Sequence, residues 1–123
     1  MQDFRKLAVW ERAFKLTLAI YSETKAFPRE EMFGLTSQIR RSASSTGANI
    51  AEGCGRGSDQ DFARHLQIAM GSASELESHL VLAFGLGLLK TDQHRRLETE
   101  VQGIKRMLAK LLIKVRAAKK TDS

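Results

Sequence analysis

Apolar residues recur along this chain at helical spacing, in four blocks separated by short breaks. In the first, Phe4 to Lys25, Trp10, Phe14, Thr17 and Tyr21 share one face, with Ala13 and Ile20 beside them. Leu7 and Leu18 lie on one flank, Val9 and Leu16 on the other, so the apolar arc is wide and predicts contacts on more than one side. Phe27-Pro28 stops the block, because a residue before proline is pushed out of the α region. Arg29 to Phe33 can form one helical turn before Gly34 breaks it. Thr36 or Ser37 is then a candidate cap for a second helix running to about Gly53.

That second block sorts into three strips when laid out at 100° per residue. Leu35, Ile39, Ala43, Ile50 and Cys54 form an apolar strip. Ser44, Gly47, Ala48 and Ala51 form a strip of small residues where another backbone could approach. Gln38, Arg41, Ser42, Ser45, Asn49, Glu52 and Arg56 form a narrow polar strip. Ordinary solvated faces carry mostly Lys and Glu; these amides, hydroxyls and guanidiniums suit directional hydrogen bonds. The expected use is structural or oligomeric, bonding within the bundle or, in a ring of subunits, across a subunit boundary, with direct ligand or RNA contact as the alternative.

Gly53, Gly55 and Gly57 predict a link with a left-handed glycine at the helix end. Ser58 and Asp61 have the spacing of a capping box, with Asp in place of the usual Glu or Gln. The third block carries Phe62, Leu66, Ala69, Ala73, Leu76, Leu80 and Phe84 on one stripe. A second stripe holds Ile68, Ser72, Glu75, His79, Leu82 and Leu86, a candidate oligomer face. Gly85 and Gly87 end the helix, and Thr91 or Asp92 is expected to cap the fourth. There Leu97, Val101, Ile104, Leu108, Leu111, Leu112 and Val115 face inward, while Ile113 stands alone on the outside. Four amphipathic helices with short links predict an all-α, antiparallel up-down-up-down bundle over residues 1–118, with 119–123 as a frayed tail.

The 123 residues suffice for one domain with a real core. The N-terminal stretch MQDFRKLAVWERAF is charged throughout and reads as no signal peptide, and no apolar run approaches a membrane span, so a cytoplasmic location is expected. Cys54 is the single cysteine and falls on the apolar strip, which predicts a small buried hydrophobe. The net charge of +6 is concentrated: Lys105, Arg106, Lys110, Lys114, Arg116, Lys119 and Lys120 are seven basic residues with no acid among them. The rest of the chain, 13 basic against 14 acidic residues, is near neutral. Such a row can neutralise phosphates, which makes these seven the candidate nucleic-acid-binding residues. Aromatic residues do not interleave with them, so base stacking is not indicated on that face.

Catalytic and metal chemistry find little support. A di-iron bundle needs inward Glu-x-x-His pairs, and His65, His79 and His94 follow Phe62, Leu76 and Thr91. Glu75 and His79 are one turn apart, too few ligands for a metal and expected to form a hydrogen-bonded pair; His65 and His94 are expected at the solvated surface. No nucleophile elbow occurs, and the glycine run GCGRG lacks the Lys-Ser/Thr of a phosphate loop. It precedes a helix N-terminus where Arg56 could help attract an anion. No cofactor, metal or enzymatic activity is expected.

Several strings resemble a known family. They are Phe4, Leu7 and Trp10; Phe27-Pro28, Glu31 and Phe33-Gly34-Leu35; Gln38 with Arg40-Arg41; and Ala48-Asn49-Ile50-Ala51-Glu52-Gly53. Phe62, Ile68-Ala69, Gly71-Ser72 and Glu75-Leu76 continue the pattern. Together they resemble the S23, or 23S rRNA intervening-sequence, proteins over nearly the whole chain. The resemblance implies a left-handed antiparallel four-helix bundle assembling into a homopentamer. Some members are encoded within intervening sequences of 23S rRNA genes. The similar accessory proteins of diversity-generating retroelements contact RNA and a reverse transcriptase as basic pentamers. Ser45-Thr46-Gly47 departs from the Ser-Ile-Pro of many relatives. The resulting expectation is a homo-oligomer that binds RNA, ribosomal RNA included, or a nucleoprotein partner. The alternative is a protein-interaction scaffold without nucleic acid.

Overall fold

The computed structural model describes the backbone of residues 3–122 and the side chains of residues 3–118. Four long helices cover it: α1 Ala8–Thr24, α2 Leu35–Cys54, α3 Asp59–Gly85 and α4 Thr91–Asp122. Short 3₁₀ turns at Phe4–Lys6 and Arg29–Glu31 precede α1 and α2. There is no strand among the described residues, and no helix is long and apolar enough to cross a membrane.

The helix ends follow local chemistry, with three departures from expectation, the first being that α4 already starts at Thr91, so neither Thr91 nor Asp92 precedes it as a cap. Ser58 Oγ accepts the Asp61 N–H at 3.1 Å, as the box spacing requires. α3 closes on Gly87, whose φ of +79° favours glycine. There Leu88 N–H reaches back to Ala83 O and Gly87 N–H to Phe84 O, a Schellman closure. Thr36 and Ser37 do not cap α2: the helix already starts at Leu35, with Gly34 before it, and Glu31 Oε1 accepts the Leu35 N–H. The left-handed glycine expected after α2 is also absent, because Gly55 stays at φ −81°. Gly53 is needed for packing instead. A Cβ there would lie 2.9 Å from Phe62 Cδ1 and 3.0 Å from His65 Cβ, closer than packed carbons tolerate.

Each helix turns one aliphatic stripe inward. α1 contributes Val9, Ala13, Leu16 and Ile20; α2 contributes Leu35, Ile39, Ala43, Ile50 and Cys54. Phe62, Leu66, Ala69, Ala73, Leu76, Leu80 and Ala83 come from α3, and Leu97, Val101, Ile104, Leu108, Leu112 and Val115 from α4. Fully burying one such Leu or Ile stabilises by about 1.5–3 kcal/mol, so these stripes dominate folding. The aromatic stripe of α1 is not the core. Phe14 stays 47% and Tyr21 43% exposed, and Trp10 is half-buried, stacked on Phe14 at 5.2 Å. The apolar arc of α1 is wider than one bundle can cover. The interior takes its small and branched residues, because α1 and α2 meet closely where Gly47 faces Ala13 and Trp10. Phe84 similarly lies outside the inner stripe of α3, and Ala83 takes the buried place.

Helix contacts run around a square: α1 with α2, α2 with α3, α3 with α4, and α4 with α1, while diagonal pairs do not approach. Thr17 Oγ1 bonds Ala43 O, and Arg40 Nε donates to Thr24 Oγ1. Ser45 meets Ser72, and Glu52 meets His65. Glu77 holds Lys105, while Phe84 stacks on His94. Arg12 donates to Glu100, and Glu23 accepts from Gln93. Across every one of these seams, rising numbers on one helix meet falling numbers on the other.

Candidate nucleic-acid interface and the polar seam

The polar strip of α2 divides in two. Ser45 and Asn49 are half-buried where α2 meets α3: Asn49 Nδ2 donates to Ser45 O at 2.9 Å and Ser45 Oγ at 3.1 Å, and Ser45 Oγ lies 3.0 Å from Ser72 Oγ. One turn on, the Glu52 carboxylate accepts from Arg56 at 2.6 Å and from His65 Nε2 at 3.0 Å. The Arg56 guanidinium, and next His65, hold the Glu52 carboxyl below its ordinary range, and Glu52 in turn raises Arg56. Ser42 is buried and bonds back to Gln38 O and Ile39 O within its own helix. Gln38 and Arg41 lie at the opposite end of the strip, exposed.

Two histidines are not where the sequence suggested. His65, expected in solvent, is only 3% exposed. Its Nδ1 lies 2.9 Å from Asp61 O and its Nε2 faces Glu52, so both ring nitrogens meet acceptors. The missing Cβ at Gly53 makes room for it. A glycine near the end of α2, five residues before the Ser58 cap, rather than the histidine's own neighbours, was the available signal. His94 is likewise half-buried, its ring parallel to Phe84 at 4.6 Å, with Nε2 3.4 Å from Glu98 but out of hydrogen-bonding alignment. His79 does face Glu75, at 3.5 Å along α3. No group of ligands suited to a metal occurs among the described residues.

The second stripe of α3 lies outside the bundle. Ile68, Glu75, Leu82 and Leu86 are exposed and His79 half-buried. Ser72, on the same stripe, is drawn toward Ser45.

The basic residues of α4 do not form one uniform set. Lys105 is half-buried and donates to Glu77 Oε1 at 2.9 Å, a bridge between α3 and α4 that, chiefly through this bond, lowers the Glu77 carboxyl below its ordinary range. Arg106, Lys110, Lys114 and Arg116 are exposed and form no ion pair among the described residues. Lys114 and Arg116 flank recesses shared with Asp59. Arg106, Lys110 and Lys114 follow at every fourth position, a row about 12 Å long. Ile113 beside them is 69% exposed. The side chains of Lys119 and Lys120 lie outside the described residues.

The glycine link offers no anion site. Arg56 is turned back to Glu52, Ser58 occupies the Asp61 N–H, and Asp59 lines the recess, whose volume of about 120 Å³ falls short of a usual ligand pocket. Cys54 is buried, and burial pushes its thiol up, which disfavours the nucleophilic thiolate. One seam escaped sequence reasoning. Arg12 crosses α4 to Glu100 Oε2 at 2.8 Å and to Met107 Sδ at 3.8 Å, passing over Gly103 where any Cβ would overlap its guanidinium. The isolated glycine inside an otherwise helical pattern was the sign.

These features define an all-α four-helix protein with hydrogen-bonded seams and a basic outer row on its last helix. The family described as 23S rRNA-intervening sequence protein matches residues 5–110, and the chain belongs to that family. It is similar to a protein of unknown function from the S23 ribosomal protein family of Bacteroides thetaiotaomicron VPI-5482, known from a crystal structure. That likeness has a TM-score of 0.80 and 27% sequence identity, covering 85% of this chain and 98% of that one. Comparison with curated proteins gives no match.

Proposed function

We propose that this chain is a non-enzymatic, cytoplasmic, homo-oligomeric protein that binds RNA or a nucleoprotein partner through the outer face of α4. The single observation that carries the reading is the row of Arg106, Lys110 and Lys114, three exposed cations without a carboxylate partner among the described residues. By contrast Arg12, Arg56 and the adjoining Lys105 each hold an acid. An unneutralised row gains most from displacing counterions on a phosphate backbone. Membership of a family named for a 23S rRNA intervening sequence agrees with an RNA partner, ribosomal RNA included. The opposed numbering across all four seams supports an up-down-up-down bundle, with left-handed twist as part of the same proposal. A homopentamer is the proposed assembly, with the exposed stripe of Ile68, Glu75, His79, Leu82 and Leu86 as its contact face.

An electrophoretic shift with a structured RNA at increasing salt tests the reading. Binding at low salt that weakens steeply as salt rises is expected; intact oligomers that shift no RNA at low salt refute it. Exposed Ile68, Leu82 and Leu86 favour a second reading, a homo-oligomeric protein scaffold without nucleic acid. Co-purification of one stoichiometric protein with no nucleic acid would select it. A stable monomer by light scattering at micromolar concentration would defeat the oligomer in both readings.

A further inference from the structure

The end of α1, the Arg29–Glu31 turn and the first turns of α2 enclose a two-lobed cleft, with lobes of about 230 and 460 Å³. Met32, Thr36 and Arg40 line both lobes and form their common wall. The lining includes Lys25, Arg29, Arg40 and Arg41 and no carboxylate. None of these four cations has an ion pair among the described residues. Glu31, the nearby acid in the turn, is engaged with the Leu35 N–H and does not line the cleft.

Arg40 is held firmly, by neutral partners only. Its Nε donates to Thr24 Oγ1 at 2.9 Å, its Nη2 to Tyr21 O, and its guanidinium lies over the Tyr21 ring at 4.7 Å. A pinned guanidinium without a counter-charge is pre-organised for an external anion. Thr36 adds an independent sign. The residue is 5% exposed, and its Oγ1 has no hydrogen-bond partner, unlike those of Thr17, Thr24 and Thr46, which bond back along their helices. An orphaned buried hydroxyl costs free energy unless something completes it. Thr36 and Ser37 also stand in the first turn of α2, where N–H groups lack helical acceptors and favour an anion. Finally, Phe33 projects from the rim at 94% exposure, a whole aromatic face given to solvent.

We infer that this cleft binds a nucleoside phosphate, free or as an unpaired nucleotide of an RNA strand, with the phosphate on Arg40, Arg41 and Thr36 Oγ1 and the base stacked on Phe33. Cations alone would suit any acid; a solvent-facing ring at the mouth selects one with a planar group attached. The site uses none of the α4 residues and stands whether or not that helix binds RNA.

Isothermal titration of the full chain at low salt decides the matter, with adenosine monophosphate, inorganic phosphate and hexa-adenylate as probes. Arg41→Gln and Phe33→Ala, both at exposed positions, are expected to weaken adenosine monophosphate by about tenfold each. Arg95→Gln, which removes an equal charge elsewhere, should leave it unchanged. Thr36→Val separates binding from folding. Replacing an unpaired hydroxyl by a methyl leaves the melting temperature equal or higher, yet affinity for the nucleotide falls. Mononucleotide binding equal to that of hexa-adenylate identifies a free nucleotide as the source; tighter hexa-adenylate with the same variant losses identifies RNA. The inference is overturned if neither probe binds, if Arg41→Gln and Phe33→Ala change nothing, or if inorganic phosphate binds as well as the nucleotide.

Discussion

The α2–α3 seam and the outer row of α4 are both built from charged and polar side chains, yet they differ in how those groups are satisfied. In the seam, Glu52 is shared by Arg56 and His65, and Asn49, Ser45 and Ser72 form a chain. On α4, Arg106, Lys110 and Lys114 reach solvent without an ion pair among the described residues. A hydrogen-bonded group already has its reward in the folded monomer, whereas an exposed unpaired cation keeps its attraction for something else. Substitutions in the seam should therefore cost stability, and substitutions in the row should cost binding.

The largest effect is expected at Gly53. Gly53→Val places methyl groups where Phe62 and His65 already pack, and should destabilise by about 2–3 kcal/mol in denaturant unfolding, with RNA affinity of the folded fraction retained. Next is the triple change Arg106→Gln, Lys110→Gln, Lys114→Gln. RNA affinity should fall on the order of 30-fold near physiological salt, with the melting temperature held within a degree or two. Lys105→Met sharpens the contrast inside α4 itself. Because Lys105 holds Glu77, it should lower stability by about 0.5–1 kcal/mol and leave RNA affinity nearly unchanged.

The smallest effect concerns acid. The Glu52 carboxyl is depressed by Arg56 and His65 in the folded state, so it binds its proton less readily there than in the unfolded chain. Its contribution is present above the ordinary Glu value and is lost as pH falls through the depressed one. Stability of Glu52→Gln, followed by thermal melting across that acid window, should fall less steeply than that of the parent chain. Equal slopes would show that the seam gains nothing from the ionised carboxylate.

Most of the helix pattern was legible because burial here follows period. Ile39, Leu66, Leu76, Leu80, Val101 and Leu108 lie inside, as their spacing demands. The inner face of α1 was not singled out, because its arc holds more apolar residues than two neighbouring helices can cover, and hydrophobicity alone would favour Trp10 and Phe14 over Val9 and Ala13. Interhelical registration decided otherwise. His65 was misread for a related reason: its partners, Glu52 and Gly53, lie on another helix, and no local spacing reports them. The uniform basic row was legible as composition but not as chemistry, since only the fold pairs Lys105 with Glu77 and leaves Arg106, Lys110 and Lys114 without an ion pair among the described residues.

The most direct test is the slope of RNA affinity against salt, measured for the parent chain and the Arg106, Lys110, Lys114 triple variant on one structured RNA. Plotted logarithmically, the parent should be steeper by about 2–3, the share of three phosphate contacts. Parallel slopes, with the variant binding as tightly as the parent, would contradict an RNA interface on α4.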